Sequence, residues 1–218
     1  MSNNENITIL INSIIEGDED QSSSAAKKAL DSGLDYKVIL NEGVIKACEE
    51  IGQLYEKEEY FLADMLISGD ALKAAIDVLR PVMEKASEKS PGKILIGTVE
   101  GDVHDIGKSL VTSLLQGQGY DVIDLGTEVP PEIFAQKALE GSPDVVGLSG
   151  LLTASISKMR ETIALLKEKN IDSKIIIGGG IVSKAACVLI GADDCAKDGW
   201  EGVKKIGTLI TSKRGEVI

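Results

Sequence analysis

Near residue 90 the hydrophobic pattern of this chain changes its period. After that point, short apolar runs at 93–99, 121–125, 144–149 and 174–178, with a weaker run at 192–196, alternate with helical patterns at 107–118, 131–140, 154–169, 181–190 and 200–213. Strands that alternate with helices indicate βα units, in which helices cover both faces of a parallel sheet. Five strands predict a flavodoxin-like (Rossmann-like) α/β domain, although the strand order is not legible from the sequence.

The residues before the change of period are helical in pattern only. Candidate helices cover 4–16, 20–32, 36–57 and 61–86. Apolar residues recur in the third at three- and four-residue steps, namely Leu40, Val44, Ala47, Cys48, Ile51, Leu54 and Tyr55. Four such stripes with short connections predict a small four-helix bundle, for which a plain structural role is the alternative. The charged, Pro-Gly-containing stretch Lys85–Gly92 predicts a linker, so we expect domains at 1–88 and 89–218.

The net charge, the absence of a long apolar run and the cysteine content indicate which partners and which cellular compartment to expect. The formal net charge of -12 argues against binding to nucleic acid or to an anionic membrane, because both are negatively charged. The N-terminal residues are polar and no apolar run is long enough to span a bilayer, which predicts a cytoplasmic protein. The three cysteines, Cys48, Cys187 and Cys195, are widely spaced and fit reduced structural thiols.

Three polar or glycine-rich clusters follow predicted strands. The first, Gly101–Gly107, follows the strand at 93–99 and contains the only histidine, His104. The second, at 148–155, contains Ser149, Thr153 and Ser155, and the third is Gly178–Gly180. Because parallel strands end at one edge of their sheet, we expect the clusters to form one slot there. The slot would offer one nitrogen ligand, several hydroxyls and a wall without side chains.

The histidine has two interpretations. A lone histidine in a loop is more often a hydrogen-bonding residue than a metal ligand, but Asp102 lies two residues before it. Metal-bound imidazoles usually donate their second ring N–H to a carboxylate or carbonyl group. Zinc needs three or four protein ligands, and no cysteine or second histidine is near. A single imidazole is sufficient only for a metal that arrives with its other ligands, as in a macrocyclic cofactor.

The other two clusters also have ordinary explanations. The glycine run can form a tight strand-to-helix turn, or it can let a bulky ligand lie against the backbone. It is not the dinucleotide-binding fingerprint, which would follow the first strand. Ser149, Thr153 and Ser155 can be helix caps, or they can reach polar groups of a ligand in the slot.

Taken together, the motifs resemble a known cofactor signature. Asp102-x-His104-x-x-Gly107, followed by Ser149-x-Leu151 and Gly178-Gly179, closely resembles the cobalamin-binding signature of methionine synthase and of the corrinoid proteins of methyltransferase systems. The segments 51–56 and 60–64 resemble the helical cap that precedes this domain in those proteins. The resemblance covers about residues 15–213.

The resemblance implies a cofactor and roles for its site residues. The implied cofactor is cobalamin, which would alternate between methylcob(III)alamin and cob(I)alamin and would be bound base-off with His104 as the lower axial cobalt ligand. Asp102 would form a hydrogen bond with the other ring nitrogen of His104. Ser155 would form a hydrogen bond with Asp102 and so complete a proton relay. The remaining cofactor-binding residues implied are Gly101, Val103, Asp105, Ile106, Gly107, Ser149, Leu151, Thr153, Gly178 and Gly179, with Tyr55 and Leu62 in the cap. Tyr55 departs from the family, where phenylalanine is the aromatic residue expected there.

The implied function is that of a methyl carrier without catalytic activity of its own. A substrate-specific corrinoid methyltransferase would load cobalt, and a second methyltransferase would pass the methyl group to a thiol or pterin such as coenzyme M or tetrahydrofolate. A reductive activating protein is also implied. The alternatives are a cobalamin-dependent sensor, for which no basic DNA-binding segment is visible, and the cobalamin subunit of a carbon-skeleton mutase, which generally lacks the cap. The methyl donor is not legible from the sequence.

Overall fold

The computed structural model describes residues 3–85 and 90–215, which divide into two compact units. The first unit extends to Ser90 and also includes Ser113–Tyr120. The second comprises Pro91–Thr112 and the chain from Asp121 onward. The expected boundary between residues 88 and 89 lies outside the described residues, so the domain limits 1–88 and 89–218 stay a prediction.

The first unit contains the four helical segments that the sequence predicts. They are α1 (Asn3–Glu16), α2 (Glu19–Asp31), a third segment made of α3 (Tyr36–Val38), a π-helix (Ile39–Ile45) and α4 (Lys46–Glu56), and finally α5 (Leu62–Lys85). Asp18 caps α2, since its carboxylate accepts a hydrogen bond of 2.8 Å from the Gln21 amide. The hydroxyls of Tyr60 and Ser68 both donate to the carbonyl of Ile15, at 2.9 and 3.0 Å, and so tie the start of α5 to the end of α1.

The π-helix is a departure from the expected continuous α-helix. A π-helix bonds residue i to residue i+5, so Ile39 and Val44 share a face and both are fully buried. Leu40, which an α-helical pattern places on that face, is only half-buried. Gly43 lies close to α1, because a Cβ there would be 2.8 Å from Cδ2 of Leu10. The predicted apolar stripe is therefore displaced by one residue where it begins.

From residue 93 onward, strands and helices alternate as expected. In chain order they are β1 (Lys93–Thr98), α6 (Ile106–Gly117), β2 (Asp121–Asp124), α7 (Pro131–Gly141), β3 (Val145–Ser149), α8 (Ser155–Glu168), β4 (Lys174–Gly178), α9 (Lys184–Ile190), β5 (Asp194–Ala196) and α10 (Gly199–Arg214). All neighbouring strands are parallel, in the order β2-β1-β3-β4-β5. This confirms the flavodoxin-like five-stranded sheet and supplies its strand order.

The centre of the sheet forms the core of the second unit. Buried residues of β1, β3 and β4 pack with α7 and α8 in one apolar cluster, which includes Leu95, Val146, Ile177, Phe134 and Ile163. Covering both faces explains why these strands read as continuous apolar runs. The core supports the loops that leave the ends of the strands.

The cysteines are buried in both units. Cys48, Cys187 and Cys195 are all free thiols. Burial raises the pKa of the Cys48 thiol and of the Cys187 thiol to about 11 in each case. Both therefore remain protonated near neutral pH, which agrees with the expected structural role.

No helix within the described ranges is both long enough and apolar enough to cross a membrane.

Candidate functional site

The three predicted clusters begin at one level of the sheet. Thr98 of β1 pairs with Ser149 of β3, and Ser149 pairs with Gly178 of β4. The first residue after each of these strands therefore lies at the same carboxyl edge. The strand order reverses between β1 and β3, and in open α/β sheets ligands bind at that point. The loops after β1 and β3 are consequently the centre of the candidate site.

Asp102 joins these two loops. Its side chain is fully buried, and Oδ2 accepts hydrogen bonds from the Leu151 amide (2.6 Å), the Leu152 amide (3.2 Å) and the Ser155 hydroxyl (2.6 Å). Oδ1 accepts from the His104 amide at 3.1 Å. Burial acts to raise the pKa of Asp102, but the hydrogen bonds from Ser155, Leu151 and His104 outweigh it and hold that pKa well below its usual range. Asp102 is therefore an ionised carboxylate.

The His104 ring is oriented by this carboxylate. Nδ1 lies 2.7 Å from Oδ1 of Asp102, while 48% of the side chain remains exposed. An ionised carboxylate can only accept, so Nδ1 carries the proton of the neutral ring and Nε2 keeps its lone pair. The backbone is fixed too, because the buried Thr98 hydroxyl donates to the His104 carbonyl at 3.0 Å. The loop thus holds an accessible imidazole with one nitrogen available to a metal ion.

Apolar side chains are exposed in the same two loops. The exposed fractions are 65% for Val103, 60% for Ile106, 46% for Leu151 and 42% for Leu152. Exposed apolar groups concentrated around a polar centre are typical of a ligand-binding surface. Thr153 of the second loop is also exposed, and Ser149, the last residue of β3, is half-buried.

The glycines of the site fall into two groups. A Cβ on Gly107 would meet nothing within 4 Å, and one on Gly178 would come no closer than 4.0 Å to the Ala196 carbonyl oxygen. Gly179 has a φ of +128°, and its Cβ would lie 1.9 Å from the Gly150 carbonyl oxygen. The fold itself therefore requires glycine at 179, whereas at 107 and 178 the space beside the backbone is open.

Family models match both halves of the chain. Residues 92–204 match a B12 binding domain, and residues 7–80 match a second model described as a B12 binding domain. The chain belongs to the B12-binding corrinoid proteins. The predicted family and the cobalamin or corrinoid cofactor are confirmed at that level.

Individual corrinoid proteins are similar to this chain over most of their length. This corrinoid protein is 41% identical to a corrinoid protein of Desulfitobacterium hafniense, over 86% of this chain and 87% of that one. It is 38% identical to dimethylamine corrinoid protein 1 of Methanosarcina acetivorans, over 96% and 100%. It superposes with a TM-score of 0.80 at 26% identity on one chain of the methanol:cobalamin methyltransferase complex MtaBC from Methanosarcina barkeri, covering 98% of this chain and 85% of that chain. These matches support the predicted function of a methyl-carrying corrinoid protein.

The structure adds an ion-pair cluster that the sequence analysis missed. The Lys108 side chain is only 1% exposed, and its Nζ lies 2.5 Å from Oδ2 of Asp124 and 2.7 Å from Oδ1 of Asp105. The Ser109 hydroxyl donates to Oδ2 of Asp105 at 2.8 Å. The hydrogen bond from Lys108 holds the pKa of Asp105 below its usual value. The available signal was a lysine in the first turn of a helix, where the helix dipole disfavours a cation.

Ser155 has a different local role from the capping alternative. It is the first residue of α8, and the N-cap position is Ala154, which has no side-chain capping bond. The Ser155 hydroxyl instead donates to Asp102. Gly150 makes room for it, because a Cβ on Gly150 would lie 2.6 Å from the Ser155 Cβ.

The two candidate cap residues belong to the first unit. Tyr55 is half-buried near the end of α4, and Leu62 begins α5 with 47% of its surface exposed. Phe61, just before it, is 67% exposed, and its amide donates to Asp64 at 2.8 Å, which starts the helix. The roles of Tyr55 and Leu62 stay predictions. The expectation that the family has phenylalanine at the position of Tyr55 stays a prediction too.

Proposed function

We propose that this corrinoid protein binds cobalamin base-off, with His104 as the lower axial ligand of cobalt, and carries a methyl group between two methyltransferases. The observation that carries this proposal is the 2.7 Å contact between Nδ1 of His104 and the ionised Asp102, which leaves Nε2 free. When bound, the corrinoid supplies a cobalt centre that accepts a methyl group and later releases it.

The residues present fit such a group. A corrin ring brings its own equatorial nitrogens, so one imidazole is a sufficient contribution from the protein. The open space beside Gly107 and Gly178 suits a large ring and a nucleotide tail that lie close to the backbone. The exposed Val103 and Ile106 supply apolar contacts on the same loop. We assign the tail to the side of Ser149, Leu151, Thr153, Gly178 and Gly179, and the corrin contacts to Gly101, Val103, Asp105, Ile106 and Gly107.

The protein's own part is to hold the imidazole and its proton. Asp102 keeps a proton on Nδ1, which makes Nε2 a better donor to a metal. The Ser155 hydroxyl donates to the other oxygen of Asp102, Oδ2, and so holds the carboxylate in place beside the ring.

The helical residues 1–88 are proposed as a cap domain, with Tyr55 and Leu62 excluding water from the upper face of the cofactor. The cap would have to move when a methyltransferase docks. The proposed partners are a substrate-specific corrinoid methyltransferase, a second methyltransferase that uses a thiol or pterin acceptor, and a reductive activating protein. Dimethylamine and methanol are the first donors to examine, because they appear in the names of similar proteins.

The single histidine makes the ligand assignment directly testable. The chain, freed of any purification tag, is labelled with ¹⁵N-histidine, reconstituted with cobalamin and reduced to the cobalt(II) state. Because His104 is the only histidine, coordination by its ring changes the nitrogen coupling in electron paramagnetic resonance from a triplet to a doublet. A triplet that persists assigns the ligand to the cofactor's own base and contradicts the proposal, as does a failure to take up cobalamin.

The carrier role is tested separately. Reduced holoprotein is mixed with a candidate loading methyltransferase and dimethylamine or methanol, and the visible spectrum reports methylation of cobalt. Addition of a second methyltransferase with coenzyme M or tetrahydrofolate should then reverse the spectral change. A methylated form that no acceptor system demethylates would contradict the carrier function while leaving cobalamin binding intact.

A further inference from the structure

The Lys108 cluster ties the His104 loop to β2, whereas the side chain of Asp102 ties it to the residues that follow β3. In the sheet, β1 has β3 on one side and β2 on the other. Asp102, two residues before His104, bonds to the loop after β3. Asp105, one residue after His104, is joined through Lys108 to Asp124, the last residue of β2. The loop that carries the imidazole is therefore tied to both neighbouring strands.

Local energetics do not favour a lysine at this position. Its ammonium group is almost completely removed from water, which is costly even when carboxylates compensate the charge. It also lies in the first turn of α6, where the positive end of the helix dipole opposes a cation. Well-packed apolar residues often replace buried ion pairs without loss of stability. Residues that break local rules in this way are concentrated at functional sites.

Asp124 is itself held in place. Its second carboxylate oxygen, Oδ1, accepts from the Gly126 amide at 2.9 Å, and Gly126 in turn accepts from the Thr98 amide at 2.9 Å. Thr98 is the residue whose hydroxyl holds the His104 carbonyl. The cluster is thus connected to the same backbone segment that positions the imidazole.

The geometry points to Lys108 as a positioning residue for His104: by joining Asp105 to Asp124 it adds a side-chain link on the β2 side of the loop, beside the backbone bond of 3.1 Å from the Glu128 amide to the Asp102 carbonyl, and so keeps the imidazole where it can coordinate cobalt. This inference rests on the proposed function of His104. Lys108 acts through the loop and is not assigned any contact with the cofactor. Loss of the cluster should let the ring leave its coordinating position while Asp102 and its partners remain intact.

The test compares Lys108→Met with Lys205→Met in reconstituted full-length protein. Lys205 is a matched control, because its Nζ is also paired with two carboxylates, Asp194 at 3.2 Å and Glu201 at 2.8 Å, at the β5 edge of the sheet. The fraction of cobalt(II) with the ¹⁵N-histidine doublet and the dissociation constant for cobalamin are measured for each. Lys108→Met should lose most of the doublet and bind cobalamin about 10-fold more weakly, which is the lower end of the loss seen when groups that orient a metal ligand are removed. Lys205→Met should match the wild type in both measurements.

Two further variants keep the outcome decisive. Lys108→Arg retains the positive charge and should restore part of the doublet. If Lys108 only filled space in the core, the charge would not matter and this rescue would not be expected. If Lys108→Met does not fold, Asp124→Asn, which weakens only one side of the cluster, decides the question. A full doublet and wild-type affinity in the folded variants overturn the role of Lys108. Absence of the doublet in wild-type protein overturns the proposed function instead, so the two failures are distinguishable.

Discussion

Two carboxylates at opposite edges of the sheet, the buried Asp102 and the half-buried Asp144, accept similar hydrogen bonds but serve different purposes. Asp102 lies at the carboxyl edge and bonds to groups of the loop after β3 and to His104. Asp144 lies at the amino edge, where its Oδ2 accepts from the Lys93 amide at 2.9 Å and from Nη2 of Arg214 at 2.7 Å. In both cases burial acts to raise the pKa, and hydrogen bonds to the ionised form lower it overall.

The difference lies in what each carboxylate holds. Asp144 is bonded to a backbone amide and a guanidinium, which are both permanent donors, so the contact can only stabilise the fold. Asp102 also holds an imidazole, whose second nitrogen can bind a metal or a proton. A carboxylate therefore becomes part of a functional site through the residue it orients. Variants at the two edges should separate stability from cofactor coordination.

The largest loss of stability is expected for Asp102→Ala. The change leaves the Leu151 and Leu152 amides and the Ser155 hydroxyl without their buried acceptor, so the free energy of unfolding should fall by about 3 kcal/mol. Affinity for cobalamin should fall by up to about 100-fold. Urea denaturation of the protein without cofactor and spectroscopic titration with cobalamin measure the two effects. Wild-type affinity in this variant would show that Asp102 does not act on the metal ligand.

The neighbouring glycines sharpen the contrast within one edge. Gly179→Ala should lower the free energy of unfolding by about 2 kcal/mol or more, because the new Cβ would lie 1.9 Å from the Gly150 oxygen at a φ of +128°. Gly178→Ala meets no such obstacle and should change it by no more than about 0.5 kcal/mol. If the cofactor's tail passes Gly178, this second variant should nevertheless bind cobalamin more weakly. Unchanged binding would remove Gly178 from the proposed channel.

At the amino edge, Asp144→Asn should affect stability alone and in a pH-dependent way. The pKa of Asp144 is lower in the folded protein than the value of about 4 expected in the unfolded chain. Its contribution is therefore fully present above about pH 5 and is lost as the pH falls through the folded-state pKa. The variant should be about 1 kcal/mol less stable at pH 7, and the difference should shrink below pH 4. Denaturation curves across this range provide the measurement, with an unchanged holoprotein spectrum as the control.

The sequence was sufficient to predict the edge of the sheet at which the site lies. The apolar runs before Gly101, Ser149 and Gly178 end where β1, β3 and β4 end, within a residue or two. Given parallel strands, the three clusters had to share one edge. The order of the strands was not available, because each apolar run is compatible with several neighbours.

The contacts that depend on strand order were for the same reason not predictable. Lys108 and Asp124 are 16 residues apart, and only the pairing of β1 with β2 brings them together. The close approach of Gly150 to Gly179 likewise depends on the pairing of β3 with β4. The sequence pattern did not predict the π-helix at Ile39–Ile45, because its residues fit an α-helical apolar stripe almost as well. These contacts are set by the pairing of strands, and a local sequence pattern does not contain that information.

His104→Ala is expected to change the free energy of unfolding least and the coordination of the bound cobalt most. The side chain is 48% exposed, and the amide of residue 104 can still donate to Asp102 after the substitution, so the free energy of unfolding should change by no more than about 0.5 kcal/mol. The nitrogen coupling from the protein should disappear entirely, and the visible spectrum of bound cobalamin should change. Asp144→Asn should give the reverse pattern, with reduced stability and an unaltered spectrum. An unchanged spectrum in His104→Ala would mean that the carboxylate at the carboxyl edge, like the one at the amino edge, only stabilises the fold.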